Sequence, residues 1–161
     1  MTDDALKAGD LVVITGAAQG IGRAIALRLA ITGARLSLWD VVEQKLAQTA
    51  EDCRKRGAAV FPDVVDLSDV RAIESGARKL LKLGSPYAVI NNAAIFPRSF
   101  VVDMDLDEWE RVLRINLTAP FLLTKLLAPA MMAARRGVII NVASTVGLRG
   151  DPRGAHYASS K

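Results

Sequence analysis

The chain has 161 residues, 51% apolar and 24% charged, with a formal net charge of +4. That length allows one domain burying about 70% of its unfolded surface, and that composition excludes a disordered chain. Its Lys and Arg residues are scattered, which argues for a mildly basic surface and against a nucleic-acid or anionic-membrane partner.

The start, Met1-Thr2-Asp3-Asp4, is acidic and lacks the apolar region of a signal peptide. No apolar run approaches the roughly 20 residues of a membrane span, so a soluble cytoplasmic protein is expected. Leu11-Val12-Val13-Ile14 reads as a buried strand, and Ile21 to Ile31 as a helix stopped by Gly33. Between them lies Thr15-Gly16-Ala17-Ala18-Gln19-Gly20-Ile21-Gly22. Glycines at a strand-to-helix turn let backbone N–H groups approach a pyrophosphate, and the helix N-terminus adds partial positive charge. The spacing is G-x-x-x-G-x-G, not the commoner G-x-G-x-x-G, and its place between strand and helix is what strengthens it.

Arg35 to Trp39 is the second strand, and Asp40 ends it, 24 positions past Gly16. A carboxylate there binds both adenosine ribose hydroxyls and repels the 2′-phosphate of NADP. Gln19 and Val41 are neutral, so no nearby cation is expected to wait for that phosphate, and NAD is favoured over NADP. Val42 to Arg56 is a helix with Leu46, Ala50 and Cys53 on one face, ended by Gly57. Cys53 is the only cysteine, which excludes an internal disulfide and a cysteine metal cluster, and no metal site is expected. Arg54-Lys55-Arg56, like Arg135-Arg136 later, sits at a helix end and complements the helix dipole.

Ala58 to Val65 is the third strand, placed at an edge or bulged because of Pro62. Asp66-Leu67 follows at the same edge of the sheet; Asp66 either accepts from an adenine amino group or caps the next helix. That helix, capped by Ser68, runs to about Leu83 before Gly84. Tyr87 to Ile90 is strand four. Asp105 and Glu108 form a capping-box pattern opening a long helical region to about Arg135, with kinks expected at Pro120 and Pro129. Val138 to Val142 is strand five, and Gly147 to Gly154 is a loop.

Strands joined by helices imply right-handed crossovers and an α/β doubly wound, Rossmann-like parallel sheet with helices on both faces. Five strands are visible, and the C-terminal strand or strands and helices of that fold are missing. Residues 1–161 read as a dinucleotide-binding domain, incomplete at its C-terminus. A continuation beyond Lys161 is expected; the alternatives are a truncated, non-catalytic dinucleotide-binding or interaction module, and a second polypeptide that completes the sheet.

With the glycine pattern, Asn91-Asn92-Ala93-Ala94 after strand four, Asn116, Ser144, and Tyr157-Ala158-Ser159-Ser160-Lys161, the chain resembles the short-chain dehydrogenase/reductase family. The resemblance runs from about Leu11 to Lys161. It implies an NAD-dependent oxidoreductase acting on a small-molecule alcohol/carbonyl couple, and a homo-oligomer with an apolar face near residues 121–132. Gly16, Gln19, Gly20, Ile21, Gly22, Asp40, Asp66 and Leu67 fall at its cofactor positions. Asn92 and Ala93 would pass beside the ribose and nicotinamide. Position 94 usually holds Gly in that family and holds Ala here. Asn116 would be the active-site asparagine; its other reading is a buried polar group that holds backbone at a helix kink, and the two roles can coexist.

Carbonyl reduction needs a hydride and a proton. A free tyrosine, with a pKa of about 10, is a poor base at neutral pH, and a nearby ammonium favours its phenolate. Tyr157 and Lys161 are four apart and so share one face of a helix. Ser144, at the C-terminal end of strand five, is placed to bind a substrate oxygen. The resemblance assigns Tyr157 as acid/base, Lys161 as its modulator and ribose ligand, Ser144 as substrate orienter and Asn116 as holder of a relay water. A helix over 157–161 is about one turn, unfavourable to nucleate alone; were Lys161 terminal, its carboxylate would offset the ammonium's field. His156 points away from Tyr157 and reads as a loop-side residue at the substrate mouth. Arg98 reads as a solvated loop arginine.

Overall fold

β1 (Leu11–Thr15), β2 (Arg35–Asp40), β3 (Ala59–Val64), β4 (Ala88–Asn91) and β5 (Val138–Asn141) pair in parallel in the order β3-β2-β1-β4-β5 in a computed structural model. The structure describes residues 5–161. The chain winds outward from β1 through β2 to β3, then returns to β4 on the other side of β1. That reversal leaves a crevice at the carboxyl ends of β1 and β4, where open α/β sheets bind ligands. β3 is an edge strand, so Pro62, in register with Leu38, removes an N–H where the ladder has room for the loss.

β1 is buried throughout, and its alternation divides the core. Val12 and Ile14 meet α1 (Gly20–Leu29) and α2 (Glu43–Arg54) through Ala26, Ala30, Leu46, Ala50 and Cys53. Leu11 and Val13 meet α3 (Val70–Leu83) and α5 (Ala119–Ala133) through Ile73, Ala77, Leu80, Leu123 and Leu127. Trp39 joins the second layer, its ring resting on Gly76, where a Cβ would come within 2.8 Å of it.

Local signals were displaced at several helix ends. α3 is capped by Asp69, whose carboxylate accepts from the Arg71 N–H at 2.8 Å, not by Ser68. α4 (Leu106–Leu113) begins after Asp105, but the Asp105 side chain makes no capping bond and the box does not form. The kink expected at Pro120 takes the form of a π-helical turn, Arg114–Thr118, joining α4 to α5. Pro120 has no N–H for the carbonyl of Asn116, and the ladder shifts there, with the Ala119 N–H donating to Arg114 O. The expected 147–154 loop contains the end of a one-turn helix, α6 (Val146–Arg149), before α7 (Ala155–Ser160). By length and composition alone, Leu106–Ala133 is apolar enough to cross a membrane, contrary to the sequence expectation. In the fold Val112, Asn116, Ala119, Leu123, Leu127 and Met131 are its buried residues, so one face of the helix lies in the core.

Arg136 does more than complement a helix end. Its guanidinium forks onto Asp10 at 2.6 and 2.9 Å and lies 4.3 Å from the centre of the Tyr87 ring. Burial raises the Asp10 carboxyl, but hydrogen bonds from Arg136 and the Lys7 backbone outweigh it and hold it below the ordinary carboxylate value. A carboxylate depressed on folding stabilises above its unfolded pKa of about 4 and loses that contribution as pH falls through the folded value. Asp10→Asn is therefore expected to cost about 1–3 kcal/mol at pH 7 and less near pH 3. Urea titrations at both pH values read the difference; an equal loss at both would contradict the assignment.

Candidate active site

The crevice is built by the ends of β1, β2, β4 and β5. Thr15 closes β1 and ties it to the β4 end: its Oγ1 accepts the N–H groups of Asn92 and Ala93, each at 3.1 Å. Asn92 Nδ2 donates to Thr15 O at 2.9 Å and to Gly16 O at 3.3 Å. Gly16 has φ +67°, and a Cβ there would lie 2.8 Å from Ala93 Cα. A Cβ on Gly22 would overlap Gly16 O. The glycines are thus fixed by how closely this loop approaches α1 and the β4 end.

α1 begins without a side-chain cap from Gln19. The Gln19 amide instead accepts from Lys45 Nζ at 2.9 Å. This corrects the expectation that no cation stands near: an ammonium from α2 reaches the glycine loop. Asp40 is anchored through both oxygens, accepting from the N–H of Ala18 at 2.9 Å and of Val42 at 3.0 Å. Each oxygen keeps a lone pair. Asp66 accepts from the hydroxyl and N–H of Ser68, at 2.7 and 2.8 Å, and so shapes a turn and does not cap α3. Those two hydrogen bonds outweigh burial and hold its carboxyl below the ordinary value, with Arg111 adding a smaller pull.

At the other end of the crevice stands α7. The Tyr157 ring is stacked on Phe96 with centroids 4.1 Å apart and planes at 15°. Lys161 Nζ lies 5.8 Å from the same ring centre and donates to Val142 O at 2.7 Å. Burial pushes the Lys161 ammonium below its ordinary pKa. Ser144 follows β5, its Oγ accepting the Val146 N–H at 3.2 Å and so starting α6. Arg98 is held over Phe96, 4.8 Å from its centre, and 3.7 Å from Asp151.

A single cleft of about 680 Å³ is lined by Gly16, Gln19, Ile21, Asp40, Asp66, Leu67, Asn92, Ala93, Ser144, Tyr157 and Lys161. Gly20 and Gly22 support that wall from outside the lining. Asn116 does not reach this cleft. It lines a smaller neighbouring one of about 310 Å³, which shares Ala93, Val142, Ala143 and Lys161 with the first. Its amide is occupied: Oδ1 accepts from Ile95 N at 2.9 Å, and Nδ2 donates to Ile95 O at 3.0 Å and Ser160 Oγ at 3.1 Å. Holding backbone beside the π-helical turn is therefore what its side chain does here.

His156 corrects the sequence reading most sharply. It is in α7, not a loop, and is fully buried. Its Nε2 lies 3.1 Å from Glu108 Oε1, and its Nδ1 accepts the Tyr157 N–H at 2.7 Å. Phe96, Lys45, Glu108 and His156 were missed because their partners are distant in sequence, and no spacing signals a contact across 48 residues.

The cleft fits an elongated anionic ligand with one apolar side. The N-terminal N–H groups of α1 lack a side-chain cap, the Cβ side of Gly20 opens onto free space, and Ile21 and Val41 are exposed at its rim. Comparison with known proteins agrees. The family model described as short chain dehydrogenase matches residues 10–161. Estradiol 17-beta-dehydrogenase 11 of Rattus norvegicus is 37% identical over 155 residues, 96% of this chain and 52% of that protein. Crystallised NAD+-bound xylitol dehydrogenase superposes with a TM-score of 0.91 at 31% identity, covering 98% of this chain and 61% of that one. A metagenomic short-chain oxidoreductase in complex with NADP does so with a TM-score of 0.92 at 36% identity, covering 96% and 70%. The chain spans about half to three-fifths of the length of the curated relatives it matches.

Proposed function

The chain belongs to the short-chain dehydrogenase family, and from that premise we propose that it is the NAD-binding and proton-transferring unit of an oxidoreductase acting on an alcohol/carbonyl couple. The observation that supports this most is convergence: the glycine loop, Asp40, Asn92, Ser144, Tyr157 and Lys161 all face one cleft. Gly16, Gln19, Gly20, Ile21 and Gly22 would hold the pyrophosphate at the N-terminus of α1. Asp40 would hold the adenosine ribose, Asp66 and Leu67 the adenine, and Asn92 and Ala93 the nicotinamide side. When bound, the nicotinamide supplies or accepts the hydride.

The chain's own residues handle the proton. The Tyr157 hydroxyl gives it to the developing alkoxide in reduction and takes it back in oxidation. The Lys161 ammonium beside the ring favours the phenolate. Its anchoring to Val142 O keeps that charge on the tyrosine side of the cleft. Ser144 donates to the substrate oxygen as charge builds there. Asn116 keeps Ile95 and Ser160 in place, which supports α7 and leaves the smaller cleft beside Lys161 for a relay water. A homo-oligomer formed through the outer face of α5, where Phe121 and Met132 are exposed, belongs to the same proposal.

NAD preference rests on Asp40, and Lys45 opposes it. NADH is expected to bind about tenfold more tightly than NADPH, a difference of about 1.4 kcal/mol. Asp40→Ala should close that gap and Lys45→Ala should widen it, as fluorescence titration with both nucleotides would read. Tighter binding of NADPH by the unmodified protein would overturn the role of Asp40.

A further inference from the structure

We propose that His156 is a positioning residue for Tyr157, acting through the backbone of the helix that carries both; this rests on the reading of Tyr157 as the proton-transfer residue. α7 is short, and its N-cap, Gly154, has no side chain to satisfy the free N–H groups of the first turn. The N–H of Tyr157 is one of those groups, and it donates to Nδ1 of His156 at 2.7 Å. The histidine thus supplies the cap that glycine lacks, from inside the helix.

The second ring nitrogen fixes the ring itself. An imidazole that accepts at Nδ1 carries its proton on Nε2 when neutral. That proton faces Glu108 Oε1 at 3.1 Å, so the tautomer that caps Tyr157 is the one α4 selects. The same Glu108 oxygen accepts from Ser99 Oγ at 2.7 Å, and the Ser99 N–H donates to Arg153 O at 3.1 Å. One buried ring therefore joins α4, the turn before α7, and the loop that stacks Phe96 on Tyr157. His156 does not line the 680 Å³ cleft, so it touches neither substrate nor cofactor. What it sets is where the Tyr157 backbone stands, and a displacement of about 1 Å at a reacting group can cost about 10²-fold in rate.

The chain has one histidine, so a ¹⁵N-imidazole-labelled sample gives a single ring spin system. The expected signature is the Nε2–H tautomer, hydrogen-bonded at Nδ1. A ring that carries a proton on Nδ1 would overturn the proposal. Two near-isosteric variants separate the ring's halves: His156→Asn keeps a group at the Nδ1 position, and His156→Gln keeps one at Nε2. The Gln variant is expected to show a kcat at least tenfold below the Asn variant, with NADH affinity in both within twofold of the parent. Equal kcat in the two, or a change in KM alone, would overturn it. Should both variants misfold, Glu108→Ala tests the same link. It should lower kcat severalfold at unchanged NADH affinity and move the ring toward the Nδ1–H tautomer; an unchanged ring spectrum and kcat would overturn it. Turnover that survives Tyr157→Phe removes the proton-transfer reading and this one with it. A wrong tautomer alongside an inactive Tyr157→Phe removes this one alone.

Discussion

Replacing Tyr157 by Phe is expected to lower kcat by about 10²- to 10⁴-fold, the range a positioned acid/base contributes, while NADH affinity stays within about threefold. The substitution removes one oxygen and keeps the ring. The stack on Phe96 at 4.1 Å and the Lys161 contact therefore survive, and the cleft keeps its shape. Loss of rate without loss of binding is the signature of an interaction made only in the transition state. Steady-state kinetics paired with a nucleotide titration read both numbers. A variant with more than a tenth of the parent kcat would remove Tyr157 from the chemistry.

The second large effect is expected at Gly22. An added methyl group there has no room, because its Cβ position overlaps the carbonyl oxygen of Gly16 and lies 2.6 Å from Asn92 Nδ2. Gly22→Ala must push α1 away from the loop or break the Asn92 bonds to Thr15 and Gly16. The overpacking is expected to cost about 1–3 kcal/mol of stability. Because the displaced atoms line the cleft proposed for the nucleotide, NADH affinity is expected to fall at least tenfold. Gly20→Ala makes the comparison: its Cβ meets open space, so its strain comes from the positive φ alone and its stability loss should be smaller. Equal stability losses in thermal unfolding, or unchanged affinity in Gly22→Ala, would contradict this packing.

The sheet and the cleft were legible because their signals are local. The run Leu11–Ile14 is too apolar to lie anywhere but inside, and Val138–Ile140 still forms its strand although Val138 and Ile140 are exposed; glycines mark where such runs stop. Pro62 located an edge strand by what proline lacks. Eleven of the fourteen residues anticipated for the site line the main cleft, at the end of β2, in loops directly after β1, β3, β4 or β5, on α1 or α7, or directly after α7. The failures share a different cause. Glu108 sits where a capping box needs it, yet its carboxylate is taken by Ser99 and His156. Gln19 is neutral, but Lys45 comes to it from α2. In both cases the partner that occupies the side chain is one brought near by folding.

We propose that this cleft takes a nicotinamide dinucleotide across the ends of β1, β2 and β4. Trp39 lines the cleft, so tryptophan fluorescence during NADH titration reports occupancy directly. Saturable quenching with sensitised nicotinamide emission is expected at one nucleotide per chain, weakened at least tenfold by Gly22→Ala. Protein that is folded by circular dichroism and shows no saturable response to NADH or NADPH would contradict it.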